Sequence, residues 1–230
     1  MHIPRLTRPL QLAASCVGIA LLVAGCASQP NSVLRLQAKD AIDQKDYTTA
    51  REKLETALAQ DPADWKANYY MGIVRLGQER PLEARLHLEV AYSLRDDDPE
   101  TPLILDHLAQ ALYKEGDVEK LDIMLKSAVA RYGKTRDYYR QAEFLGKQGD
   151  VDGARAAYLK AVKVAHPEDI TPFMKQADFY EGLGDRVNAI VALQQAQNIE
   201  PFNRTIANRI SALVLEPKPA ADATVVPVAP

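Results

Sequence analysis

Small residues return along this chain at a spacing that leaves few folds open. Ala57, Ala91, Ala128, Ala161 and Ala196 are separated by 34, 37, 33 and 35 residues. Three positions before them stand Leu54, Leu88, Leu125, Tyr158 and Leu193. Seven positions before them stand Ala50, Ala84, Leu121, Ala154 and Ala189. The phrases KEGDVEK (114–120), KQGDVDG (147–153) and GLGDRVN (182–188) repeat 33 and 35 residues apart. A period near 34 without strand-like alternation is the pattern of stacked helical hairpins. Helices in a hairpin approach closely only where side chains are small, and added bulk overpacks them by ~1–3 kcal/mol per site. In the Gly-Asp phrases, Gly accepts the left-handed conformation that ends one helix and Asp caps the next. Pro81 suits a first helical turn.

These residues resemble the tetratricopeptide repeat (TPR) family, whose pattern has a small residue at position 8, a Gly-Asp-type turn near 15 and 16, Ala at 20, a large apolar residue at 24, Ala at 27 and Pro at 32. Five repeats follow, at 31–64, 65–98, 102–134, 135–168 and 170–203. Position 8 is then Ala38, Gly72, Ala109, Ala142 and Ala177, and Pro62 and Pro201 fall at position 32. Repeats 2 to 4 lack that proline, and Gln37 loosens the first repeat. The resemblance implies an all-α, right-handed TPR solenoid.

Residues 204–216 place Ile206, Ile210, Leu213 and Val214 on one helical face, as a helix capping the open end of a solenoid would. Residues 217–230, PKPAADATVVPVAP, are too rich in Pro and Ala to build a core and read as a disordered tail. Pro99-Glu100-Thr101 between repeats 2 and 3, together with Leu121 in an alanine column, predicts a local change of superhelical angle.

The N-terminus reads as an export signal over residues 1–25. Arg5 and Arg8 precede an apolar run of 16 residues, LQLAASCVGIALLVAG, which is short for a membrane span. Val23-Ala24-Gly25-Cys26 resembles the bacterial lipobox, which implies a lipid-modified Cys26 as first mature residue and a short tether over 26–30. Gly25-Cys26-Ala27 also satisfies the small-x-small rule for ordinary cleavage after Ala27. Cys16 leaves with the signal, so the exported domain has no disulfide to hold it.

Twenty-eight basic residues against 31 acidic ones argue against a nucleic-acid surface. His2, His87, His107 and His166 have no metal-ligand spacing, Asp96-Asp97-Asp98 lacks the calcium-loop pattern, and Gly182-Leu183-Gly184 is too short for a phosphate loop. The sequence therefore assigns no cofactor, no metal and no enzymatic activity.

In the TPR family, positions 2, 5, 9, 12 and 13 of each first helix line a concave groove. Carried over, they give Arg35, Lys39, Tyr69, Ile73, Asp106, Gln110, Tyr113, Tyr139, Glu143, Met174 and Asp178. The recurring Tyr and Met suit a partner helix or extended peptide. Lys39 and Tyr70 stand where the family's chaperone-binding clamp has Asn. The resemblance implies a lipid-anchored protein-interaction scaffold in a bacterial envelope, on the outer membrane facing the periplasm, serving pilus, secretin or outer-membrane assembly. Two alternatives stay open: an adaptor that recruits a cell-wall enzyme, and a groove that binds a glycan or lipid.

Overall fold

The computed structural model describes residues 29–95 and 99–215, and within them the chain forms eleven helices and no strand. The expected signal segment 1–25, Cys26, Asp96-Asp97-Asp98, Glu216 and the expected tail 217–230 lie outside the described residues. Helices α1 (Asn31–Asp43) and α2 (Tyr47–Gln60) form the first hairpin, followed by α3 (Trp65–Gly77) with α4 (Pro81–Leu94). Then come α5 (Thr101–Glu115) with α6 (Val118–Arg131), α7 (Thr135–Lys147) with α8 (Val151–Val164), and α9 (Thr171–Gly182) with α10 (Arg186–Ile199). A last helix, α11 (Arg204–Leu215), packs on α10. The arrangement is an all-α TPR solenoid.

The turn inside each hairpin is built the same way. One residue takes a left-handed conformation: Lys45 (φ 61°), Glu79 (φ 58°), Gly116 (φ 80°), Gly149 (φ 85°) and Gly184 (φ 71°). In four turns the following aspartate caps the second helix. Asp46, Asp117, Asp150 and Asp185 accept from the backbone N–H of Thr49, Lys120, Gly153 and Asn188 at 3.1, 3.1, 2.9 and 3.2 Å. Arg80 replaces the aspartate in the second hairpin and gives no side-chain cap. Pro81 then opens α4 and removes one N–H that would have needed a partner.

The small columns are the inside of the stack. Ala50, Ala84, Ala154 and Ala189 are fully buried, as are Ala57, Ala91, Ala161 and Ala196, while Leu54, Leu88 and Leu193 fill the space between layers. Ala38, Ala109, Ala142 and Ala177 are equally inaccessible. The N-terminal core cluster joins α1 to α3, the next runs from α3 to Phe144 of α7, and a C-terminal cluster gathers Ala177, Leu193 and Ile206.

One hairpin departs from the rest. Helices α5 and α6 approach closely over a shorter stretch than any other hairpin, whereas α5 lies tightly along α4. Leu121, wholly buried, occupies the column that holds alanine elsewhere. Pro99-Glu100, next to this junction, precede the N-terminus of α5.

At the C-terminal end, Ile206 is buried and Ile210 and Leu213 pack beside it. Val214 does not join that face: it is 64% exposed. It lies about 100° around the helix from Leu213, on the side that no following helix among the described residues covers.

Candidate partner-binding groove

Consecutive first helices, α1, α3, α5, α7 and α9, touch one another in order, so their free faces line one side of the stack. Two recesses open on that side. The first, about 280 Å³, lies between α5 and α7 and is lined by Asp106, Gln110, Tyr139 and Glu143, with Lys175 of α9 at its edge. The second, about 440 Å³, lies between α7 and α9 and is walled by Tyr158, Phe179 and Leu183 beside Asp178. Glu143, Lys147 and Lys175 border both. Four expected groove residues thus meet in one recess, and Glu143 and Asp178 in the next.

The others sit differently. Tyr69 is only 8% exposed and belongs to the core, where its ring meets His107 edge-on at 5.5 Å. Its hydroxyl lies 3.3 Å from His107 Nδ1, which is also 3.0 Å from the carbonyl oxygen of Leu103. Burial pushes the Tyr69 phenol up to about 12. Tyr69 is therefore a packing residue rather than an exposed anchor, because α5 leans onto α4 and brings His107 over it. Ile73 packs against the same cluster, and Met174 against the C-terminal one. Arg35 donates to buried Asp64 at 2.6 Å, which ties α1 to the start of α3. Lys39 pairs with Asp43 on its own helix at 2.6 Å. Tyr113 stacks near Phe144, with ring centroids 5.7 Å apart, and its hydroxyl donates to the carbonyl of Lys147 at 3.4 Å.

Asp106 is committed within the wall. Arg136 pairs with it, and Arg140 Nε donates to it at 2.6 Å. Arg140 is 2% exposed and donates further to Asp137 Oδ1 at 2.8 Å and to the carbonyl of Pro102 at 3.0 Å. Burial works against the Arg136 charge, but the hydrogen bond and charge of Asp106 outweigh it and raise the Arg136 pKa. These contacts staple α5 to α7 and form the floor of the first recess.

Glu143 pairs with Lys147 at 2.7 Å and Asp178 with Arg209 of α11 at 2.7 Å. Among the described residues Lys175 has no ion-pair partner. It is the uncompensated cation at the join of the two recesses. Burial raises the pKa of Tyr139 and of Tyr158, so both phenols are neutral hydrogen-bond groups near pH 7. Tyr139, half-buried, and Phe179 give the trough an apolar character beside that cation. The combination suits an extended chain or helix bearing an apolar side chain and a carboxylate.

Arg136, Lys147, Lys175 and Phe179 were not among the expected groove residues. Arg136 and Lys147 occupy positions 2 and 13 of their repeat, so the register itself carries a signal for them. Tyr158 comes from a second helix at a core column, where nothing in the sequence points to the groove. Among the described residues no three His, Cys, Asp or Glu side chains group as a metal site would, and no helix is long and apolar enough to cross a membrane.

Comparison with known proteins agrees with the fold. Tetratricopeptide repeat models match residues 35–100 and 138–165. The chain is similar to the solved structure of TTC0263, a thermophilic TPR protein of Thermus thermophilus, at 17% identity and a TM-score of 0.59 over 81% of this chain and 100% of that one. It is similar to PilW, a widely conserved type IV pilus biogenesis factor, at 17% identity and a TM-score of 0.57 over 78% and 82%. It is also similar to PilF of Pseudomonas aeruginosa, at 16% identity and 0.52 over 80% and 82%. No curated protein sequence matches.

Proposed function

Because the chain is built of tetratricopeptide repeats, a protein-interaction architecture, we propose that it is an envelope scaffold: tethered to the membrane through Cys26, it holds a protein partner in the trough that α5, α7 and α9 line. The observation that carries the reading is the pair of joined recesses, where neutral aromatic groups adjoin the unpaired Lys175. The lipobox-like Val23-Ala24-Gly25-Cys26 supports the tether, and the likeness to PilW supports assembly of a pilus or secretin-type complex as the setting. Ala27 after the modified cysteine favours the outer membrane, with the solenoid in the periplasm. At ~3.5 Å per residue the few residues between Cys26 and α1 keep the array within ~20 Å of the lipid surface.

The test is a crosslinked pull-down from intact cells, with membrane fractionation beside it. Labelled palmitate should enter the wild type, and Cys26→Ser should release the protein from the membrane fraction. Tyr139→Ala with Lys175→Glu should abolish recovery of the partner while helical content stays at the wild-type level, and deletion of residues 217–230 should leave recovery unchanged. Recovery that survives the double variant and fails on the deletion overturns the groove and moves the contact to Val225-Val226-Pro227-Val228. A pilus or secretin component among the captured proteins supports assembly, and a cell-wall hydrolase would instead make the protein an adaptor.

A further inference from the structure

A third recess lies between the start of α5, the end of α6 and the start of α7, walled by Pro99, Pro102, Leu105 and Tyr132. At about 540 Å³ it is larger than either recess of the trough. That size, with an apolar wall and a few polar groups, is the character of a ligand site. It opens beside the hairpin whose two helices pack least extensively on each other. Arg136 borders both this recess and the first recess of the trough, so the two adjoin across one side chain. The charges around it are settled, with one exception. Asp137 Oδ1 accepts from Arg140 at 2.8 Å, and its Oδ2 accepts from the backbone N–H of Lys134 at 3.0 Å. Arg136 pairs with Asp106, and Glu100 pairs with Lys66 at 3.2 Å. Lys134 borders the recess, is exposed, and has no ion-pair partner among the described residues. The positive end of the α7 dipole adds to its potential.

Taking the trough as the partner's site, we propose that the bound segment continues past Arg136 and seats an apolar side chain in the third recess, with an acidic residue beside it on Lys134. The run of three recesses carries two uncompensated lysines, Lys175 on the trough and Lys134 on the third recess. The partner's segment is therefore acidic and amphipathic, with one carboxylate for each lysine and apolar side chains for the walls. Charge complementarity fixes the register of such a segment, and the buried apolar side chains supply most of its affinity. Continuity across Arg136 favours a polypeptide over a free small molecule. A segment already held in the trough meets the third recess at a high effective concentration, so a modest second contact adds to the first. The hydrogen bond that caps α7 uses the backbone N–H of Lys134, so the ammonium can be exchanged without losing the cap.

Covalent trapping in intact cells tests it, with a photocrosslinking amino acid placed in the full-length chain at position 110, in the trough, or at position 99, in the third recess. Both probes should trap the same protein. Mass spectrometry of the position-99 adduct should find the attachment in a segment where Asp or Glu adjoins an apolar residue. Lys134→Glu should reduce the position-99 adduct and partner recovery roughly fivefold, while Lys134→Arg leaves both at the wild-type level and helical content stays unchanged in each. An adduct at position 110 with none at position 99 overturns the third contact and leaves the trough standing. No adduct at either position overturns the trough and the third contact together. A different protein or a small molecule at position 99, a trapped segment without an acidic residue, or an adduct indifferent to Lys134→Glu also overturns the proposal.

Discussion

A Cβ added to Gly72 would lie 2.5 Å from Cγ of Leu88, its partner across the second hairpin. The atom in the way is the branch point of a fully buried side chain, and no rotation of its end relieves the clash. Gly72→Ala should therefore destabilise the protein by ~1–2 kcal/mol, because overpacking outweighs the helix propensity that alanine brings. Chemical denaturation followed by circular dichroism measures this. Ala221→Phe, in the tail, should leave the midpoint unchanged.

Lys45 and Glu79 occupy the left-handed turn position that glycine takes in the other three hairpins. An L side chain there is strained by ~1 kcal/mol or more, part of which glycine returns as greater freedom of the unfolded chain. Glu79→Gly and Lys45→Gly should each stabilise the protein, by ~0.5–1 kcal/mol. Glycine placed at Thr48, inside α2, should do the opposite.

Arg140 is buried beside Asp137, whose side chain is only 3% exposed. Removing the guanidinium leaves a carboxylate without its main partner in a dry place, and breaking a buried pair in that way costs ~3–5 kcal/mol. Arg140→Met should lower the denaturation midpoint sharply. Converting Asp106 and Asp137 to Asn alongside it should restore much of the loss, since no charge is then stranded.

His87 is half-buried, with Nδ1 3.0 Å from Asn68 Oδ1, and burial followed by the nearby Arg75 lowers its pKa below 6.5. As pH falls through 6.5 the unfolded chain takes up this proton first, so protonation favours unfolding. The contribution is fully present above pH 6.5 and is lost progressively as pH falls below it. Denaturation midpoints at pH 7.5 and pH 5.5 should differ more for the wild type than for His87→Gln. The Asp46 and Asp117 caps titrate below this window, because the bonds they accept from Thr49 and Lys120 lower their pKa values.

The fold was readable because a helical stack repeats one demand. Ala57, Ala91, Ala161 and Ala196 all meet the same steric limit, so the limit shows as a column. The groove was readable only in register. Tyr139 and Glu143 line it where helical spacing puts them, but Tyr69 at the matching position of α3 is covered by His107, because α5 leans toward α4. The residue that breaks the alanine column here, Leu121, belongs to the next helix rather than to α5 itself. Asp106 presents a second difficulty: sequence marks it as a surface charge, whereas Arg140, another charged residue, buries itself to meet it. Pairwise satisfaction of this kind leaves no periodic trace.

The short contact between α5 and α6 bears on how the array comes apart. In a linear stack each unit is held chiefly by its neighbours, so stability is a chain of couplings and the weakest sets where cooperativity breaks. Here one weak coupling lies in the interior, inside the third hairpin. Helix α6 packs on α5 less extensively than the second helix of any other hairpin packs on its first, so it should open locally more readily than α2, α4, α8 or α10. Its backbone amides should exchange with solvent deuterium ahead of those in α4 and α8, and partial denaturation should leave two blocks, α1–α5 and α7–α11, that melt separately.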